Sequence, residues 1–212
     1  MKRVGAILLI ILLLEVILGF YTYPKLPDKV VTHWNNQGQP NGYTPKVWAF
    51  FWMISLSCGL ILLFMLIPKI DPLKRNFKKF REAYNDFVLL IILFLFYIYT
   101  LLILWNLNVK FPMIQMLIPI YSLLFYYSGI LMEKVKRNWF VGIRTPWTLS
   151  SEQVWEKTHK LGSRLFKLAG VVALSTTFFP KYSLFLIMTL IIFVTLYTVF
   201  YSYFEYKKEK GI

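Results

Sequence analysis

Acidic residues are scarce in this chain: only 10 of its 212 residues are Asp or Glu, against 24 Lys and Arg, and charged residues of either sign make up 16%. A soluble globular domain usually carries about 25% charged residues, so the polar surface that keeps a chain of this length in water is missing. Cysteine is nearly absent too. The lone Cys58 lies in an apolar stretch, which excludes an intramolecular disulfide and a cysteine-based metal site. There are two histidines, His33 and His159. No paired-carboxylate, Ser-His-Asp, Cys-His, HExxH or glycine-rich phosphate-loop pattern occurs, and no nucleophile has an adjacent base, which removes the familiar enzyme classes. No cofactor is called for. Internal repeats and low-complexity segments are absent as well, and nothing marks a second domain.

What is present is apolar surface. Hydrophobic residues make up 58% of the chain and its mean hydropathy is +0.56. They fall into runs joined by short connections, which predicts one all-α integral membrane domain over residues 1–212. A transmembrane helix needs about 20 predominantly apolar residues. Val4 to Tyr23 qualifies with only Glu15 inside it, and Trp48 to Ile67, Val88 to Leu107 and Tyr182 to Phe204 qualify without a charge. Met113 to Met132 also qualifies, with Gln115 and Pro119 inside it and a kink expected one turn before the proline. Leu165 to Phe179 is shorter, reaching only about 22 Å at 1.5 Å per residue. Arg164 and Lys167 at its start can snorkel toward headgroups and let it serve as a sixth span.

Charge asymmetry supports that count, because short cytoplasmic segments hold the excess Lys and Arg. With six spans and both termini inside, 19 of the 24 basic residues are cytoplasmic, and only Lys25, Lys29, Lys46, Lys110 and Lys181 lie outside. Five spans would put the basic tail outside. The same distribution argues against nucleic-acid binding as the reason for a formal charge of +14, since these cations flank membrane spans, where topology and anionic lipid account for them. Residues 1–23 have the basic start and apolar middle of a signal peptide. The bulky Gly19-Phe20-Tyr21-Thr22-Tyr23 in place of a small-residue cleavage site instead predicts an uncleaved first helix with an interfacial aromatic belt.

Two connections are long enough to hold chemistry. The outer one, residues 23–46, has extended Pro24 and Pro27, strand propensity over Val30 to Trp34, and turn signals at Asn36-Gln37-Gly38 and Asn41-Gly42. It reads as a small ordered extracellular cap, a short hairpin. The inner one, 133–164, holds the aromatic and irregular stretch Asn138 to Leu149 and then a helix. Ser150 with Gln153 fits a capping box and Leu149 with Val154 its hydrophobic staple. Trp155 and His159, four apart, share a face of that helix.

The outer Tyr-Pro, Leu-Pro and His33-Trp34 elements, followed by a Gly and a Lys, resemble the extracellular signature of the SdpI family of bacterial and archaeal membrane proteins. The inner Asn138, Gly142, Arg144-Thr145-Pro146-Trp147-Thr148-Leu149, Trp155 and Thr158-His159 resemble that family's second signature. The likeness covers nearly the whole chain in the right order. It implies an immunity protein of the cell membrane that protects its producer from a secreted antimicrobial peptide. It also implies a receptor that, once engaged, holds a small DNA-binding repressor at the membrane.

Each residue also has a plainer reading. His33 and Trp34 can anchor an extracellular peptide, or Trp34 packs on the helix ends while His33 pairs with a backbone carbonyl. Arg144 can offer its planar donor fork to a headgroup, a carboxylate or a partner protein, or it pins loop carbonyls in an elbow with Pro146 while Trp139 and Trp147 lie at the interface. Trp155 and His159 are ligand contacts or packing residues. Glu15 relays protons or anchors a ligand, or is a hydrogen-bonded structural carboxyl. The rival function is a small-solute or ion transporter with Glu15, Gln115, Pro119, Gly170 and Ala173 along its path, although inverted repeats and paired broken helices are lacking. His33 and His159 fall on opposite sides of a hydrocarbon core about 30 Å thick, which excludes a metal site shared between them. Cysteine accessibility on a Cys58→Ala background tests the topology. A membrane-impermeant maleimide on intact cells should label His33→Cys and leave Arg144→Cys and Lys208→Cys untouched; external labelling at 208 removes the short span.

Overall fold

The computed structural model describes residues 2–212. The chain begins with α1 (Lys2–Thr22) and a 3-10 turn (Tyr23–Lys25), followed by β1 (Lys29–Trp34) and β2 (Pro40–Pro45). Then come α2 (Lys46–Ile70), α3 (Lys74–Phe77), α4 (Arg81–Asn106), α5 (Met113–Lys134), α6 (Pro146–Ser150), α7 (Glu152–Ser175), a second 3-10 turn (Thr176–Phe178) and α8 (Pro180–Lys210). Among the described residues five helices, α1, α2, α4, α5 and α8, are long and apolar enough to cross a membrane. Their large side chains point outward in number, Ile17, Leu62, Phe185 and Phe193 among them. An apolar exterior on this scale needs lipid.

The stretch over 165–179 does not begin a helix of its own. Those residues are mostly the second half of α7, a continuous helix of 24 residues that starts at Glu152 and stops at Ser175. No proline interrupts the chain at Arg164, and the hydrogen-bonded ladder simply continues from the polar half into the apolar half. Glu152, Glu156, Lys157, Lys160 and Arg164 make its first half polar, so α7 is long but not uniformly apolar. The predicted cap also moves. Ser150 ends α6, its hydroxyl donating to the Pro146 carbonyl at 2.5 Å. Ser151 caps α7 instead, its Oγ accepting from the Val154 N–H at 3.2 Å. The capping box sits one helix earlier, where Thr145 and Thr148 exchange side-chain and backbone hydrogen bonds at the start of α6.

The outer connection is a two-stranded antiparallel sheet in which Val30 faces Thr44, Val31 faces Tyr43 and His33 faces Gly42. Gly38, at φ +74°, supplies the left-handed residue of its turn, and the Asn35 side chain accepts from the Gln37 and Gln39 N–H groups, both at 2.9 Å. Val30 and Val31 are both buried.

At the other end, Phe77, Phe80 and Tyr84 join Val135 and Trp155 in one buried cluster that ties α3 and α4 to the exit of α5 and the start of α7. The most extensive helix pair is α5 against α7. Small residues make it possible. A Cβ at Gly129 would meet the Ser163 carbonyl oxygen at 2.6 Å, and one at Gly170 would meet the Ser122 carbonyl oxygen and the Tyr126 nitrogen at 2.7 Å. Close approach of backbones through small residues is how helices gain packing in lipid, where the hydrophobic effect cannot drive them together.

Replacing Gly129 or Gly170 by Val should therefore destabilise the protein by roughly 1–3 kcal/mol, the usual range for overpacking. Gly59→Val is the control, because nothing lies within 4 Å of a Cβ there. Thermal melts of the three purified variants in detergent measure the difference.

Candidate functional site

The two polar segments build two different structures. At the hairpin end, Asn106 at the last residue of α4 behaves as a short piece of strand: its Oδ1 accepts from the Val31 N–H at 2.8 Å and its Nδ2 donates to the Val31 carbonyl at 3.0 Å. Lys46 ties the hairpin base, its ammonium 3.2 Å from the Asp28 carboxylate and 3.2 Å from the Leu26 carbonyl. Trp34 meets Trp105 edge to face at 5.4 Å. Its indole N–H is buried without a hydrogen-bond partner among the described residues. Beneath it an apolar groove of about 740 Å³ runs between α4, α5 and α8, rimmed by His33, Trp34 and Asn35 and floored by residues such as Ile98, Leu117, Tyr121 and Ile187. His33 is exposed and its Nδ1 pairs with the Asn41 side chain at 2.5 Å, not with the backbone carbonyl that the sequence suggested.

At the opposite end, residues 135–151 fold into a platform in which side chains claim many of the backbone groups. Asn138 is fully buried. Its amide donates to the Lys136 and Val141 carbonyls at 2.9 and 2.8 Å, and its oxygen accepts from the Phe140 and Val141 N–H groups at 2.9 and 2.7 Å. All four hydrogen-bonding positions of the side chain are used. Asp71, after α2, accepts from the Trp139 N–H at 2.8 Å and the Leu73 N–H at 2.6 Å, and Asn76 donates to the Arg137 carbonyl at 2.7 Å. The platform also reaches α8, through Thr145 to Ser202 at 3.0 Å and the Ser151 hydroxyl to Glu209 at 2.5 Å.

His159 is the centre of this arrangement. Its Nε2 accepts from the Ile143 N–H at 2.9 Å, so the ring proton is on Nδ1, which donates to the Trp155 carbonyl at 2.8 Å. The ring stacks on Trp155 with centroids 4.0 Å apart, and the Trp155 indole donates to the Val135 carbonyl at 3.2 Å. Gly142, at φ +112°, passes so close that a Cβ would lie 2.4 Å from His159 Nε2. Burial pushes the imidazole down to about 4, against the smaller opposing pull of the hydrogen bond to Trp155.

The predicted residues therefore divide. Asn138, Gly142, Thr145, Trp155 and His159 come together as the frame of the platform. Arg144 is exposed and donates to the Trp139 carbonyl at 2.8 Å, and Trp147 packs on Tyr203 at 5.1 Å. His33 and Trp34 stand at the far end. Glu15 is buried between α1 and α2, with the Ser57 hydroxyl donating to Oε1 at 3.2 Å and Oε2 unpaired. Gln115 is half-buried in the first turn of α5, and neither Glu15 nor Gln115 lines the apolar groove. Among the described residues no group of three or more His, Cys, Asp or Glu could hold a metal. Asn106, Asp71, Asn76 and Glu209 were missed by the sequence reading. A lone Asn ending an apolar run is the only signal that pointed to any of them.

These features define a multi-pass α-helical membrane protein with a strand cap at one end and a folded platform at the other. Residues 134–202 match the SdpI/YfhL protein family and residues 10–57 match a domain of unknown function, DUF1648. The first match contains the platform, α7 and most of α8; the second contains the hairpin. Along its whole length the chain is 25% identical to a protein named Immunity protein SdpI from Bacillus subtilis (strain 168), over 213 residues covering 100% of this chain and 99% of that one. Residues 134–202 thus resemble the SdpI/YfhL family, the whole chain is similar to one of its members, and the protein is a multi-pass protein of the cell membrane. No solved structure matches it.

The neutral His159 makes the platform sensitive to acid. Its value in the folded protein lies below the ordinary 6.5, so its contribution is complete above about pH 6.5 and is lost as pH falls toward 4. The stability gap between the wild type and His159→Gln should narrow by roughly 2–3 kcal/mol across that window. Detergent melts of both proteins between pH 7 and 4.5 measure it.

Proposed function

We propose that the protein is an immunity protein of the SdpI type, which binds a secreted toxic peptide at its hairpin end and so protects the cell that makes it. In this reading the chain is one membrane domain with six spans, the apolar stretch over 165–179 that ends α7 serving as the short one, and both termini and the platform, with the polar half of α7, are cytoplasmic. The full-length alignment with Immunity protein SdpI supports the class of function. The observation that carries the site is the unpaired indole N–H of Trp34 at the mouth of an apolar groove. A buried donor without an acceptor costs about 1–3 kcal/mol, and a peptide carbonyl entering the groove would recover it while apolar side chains fill the volume below.

Function by binding also fits the other end. Arg144 is exposed and spends one guanidinium nitrogen on the carbonyl of Trp139, whose side chain is itself half exposed. An exposed aromatic with a planar donor group is a suitable contact for a cytoplasmic regulator, and the proposed partner is a small DNA-binding repressor. Signalling between the ends requires that the two ligands bias a shared pair of states, and α7 with α8 extends from the platform to the groove.

Expression in a cell sensitive to the family's type of toxic peptide should raise survival while the peptide is recovered intact. Trp34→Ala and Asn106→Ala should each lower protection at unchanged membrane abundance, the first by removing the donor and the second by releasing the hairpin. Recovery of cleaved peptide would replace binding by catalysis, and export that depends on an ion gradient would make the protein a transporter.

A further inference from the structure

A second cavity, of about 470 Å³, opens between the end of α5 and the polar half of α7. Its rim carries more positive than negative charge. Lys136 pairs with Glu156 at 2.9 Å and Lys167 pairs with Glu133. Lys160 and Arg164 also line the cavity and have no carboxylate partner among the described residues. Ser163 lies between them in the wall. It is 3% exposed, and its hydroxyl makes no hydrogen bond among the described residues. The four α7 positions 160, 163, 164 and 167 fall on one face at three- and four-residue spacing, so two free cations and one free hydroxyl converge on one space.

The depth of the cavity identifies its ligand. Met132 and Glu133 in its wall mark the point where the apolar run of α5 ends, which is the level of lipid headgroups for a helix that crosses the membrane. Further along the same face of α7, Leu168 and Val171 are 59% and 58% exposed, an apolar track on which an acyl chain can lie. We infer that this cavity is a binding site for the phosphate of an anionic glycerophospholipid, held by Lys160, Arg164 and the Ser163 hydroxyl, with an acyl chain descending over Leu168 and Val171. Arg164 offers parallel N–H donors matched to phosphate oxygens, and Lys160 adds a mobile point charge. The two ion pairs flanking the site keep Lys136 and Lys167 in place and leave a net charge of about two for the headgroup, the balance a basic interhelical pocket uses to select anionic lipid. This site is separate from the proposed toxin groove, at the other end of the bundle.

The test uses the full-length protein in detergent micelles, titrated with dioleoylphosphatidylglycerol and followed by native mass spectrometry and thermal melting. Saturable binding with a rise in Tm is expected, with no such rise from dioleoylphosphatidylcholine. Lys160→Gln with Arg164→Gln breaks no ion pair and should weaken phosphatidylglycerol binding by roughly tenfold or more, as expected for two cations near an anionic surface. Ser163→Ala alone should weaken it less, and serves if the double variant is unstable. Lys208→Gln with Lys210→Gln removes the same charge from the tail and should leave binding unchanged. Competition by millimolar inorganic phosphate would support the phosphate chemistry and name free phosphate as an alternative source. Unchanged binding in both the double variant and Ser163→Ala, or equal loss in the tail variant, overturns the inference in favour of general surface attraction.

Discussion

The platform depends on one hydrogen bond, from the Ile143 N–H to His159 Nε2. Irregular backbone at the end of an apolar bundle must find partners for its polar groups, since an unpaired buried group costs more than a hydrogen bond contributes. Asn138 and Thr148 within the platform, Asp71 after α2 and His159 on α7 provide those partners. His159 differs from the others in that only its neutral ring can accept this N–H, so the docked loop and the protonation state are one condition. Gly142 is the counterpart on the loop side, because any side chain there would occupy the space of the ring.

From this point the constraint travels along α7. The Trp155–His159 pair sits on its first turns, Ser163 and Lys167 face Gly129 in its middle, and Ala173 reaches Ile118 and Ile187 near the other end. Ile118 and Ile187 also form part of the groove beneath the hairpin. The seam between α5 and α7 is therefore shared by the platform and by the groove. Its backbones touch through Gly129 and Gly170, which leaves little slack, and closely packed contacts of this kind shift between discrete arrangements and do not deform smoothly.

The hairpin end is built more lightly. Asn106 holds one residue of β1, Lys46 holds the base, and Trp34 leans on Trp105 with its N–H unpaired. The contrast is between a light attachment at one end and a densely hydrogen-bonded frame at the other. Glu15, buried and bonded by Ser57 between α1 and α2, belongs to neither.

The sequence alone determined that the chain lives in lipid, since apolar runs of about 20 residues leave no other solvent for their surface, and the positions of five long helices followed from those runs to within several residues. It also determined that residues 23–46 form a hairpin, because β-branched residues and the Asn36-Gln37-Gly38 turn signal act locally, although Asn41-Gly42, read as a second turn, lies inside β2. The tertiary structure alone decided how the second polar segment is held together. Asn138 and Gly142 look like loop residues until the carbonyls and the imidazole they meet are known, and Ser151 displaced Ser150 as the cap because α6 had already taken the earlier serine. The sequence divided α7 into a polar helix and a short span because hydropathy changes at Arg164. The chain does not break there, since continuity of a helix depends on its backbone ladder while hydropathy depends on what surrounds each side chain. Asn106, Asp71 and Asn76 were invisible for the same reason: each is an ordinary polar residue at a helix end, and its role is set by a backbone group about 60 to 75 residues away, which only folding brings near.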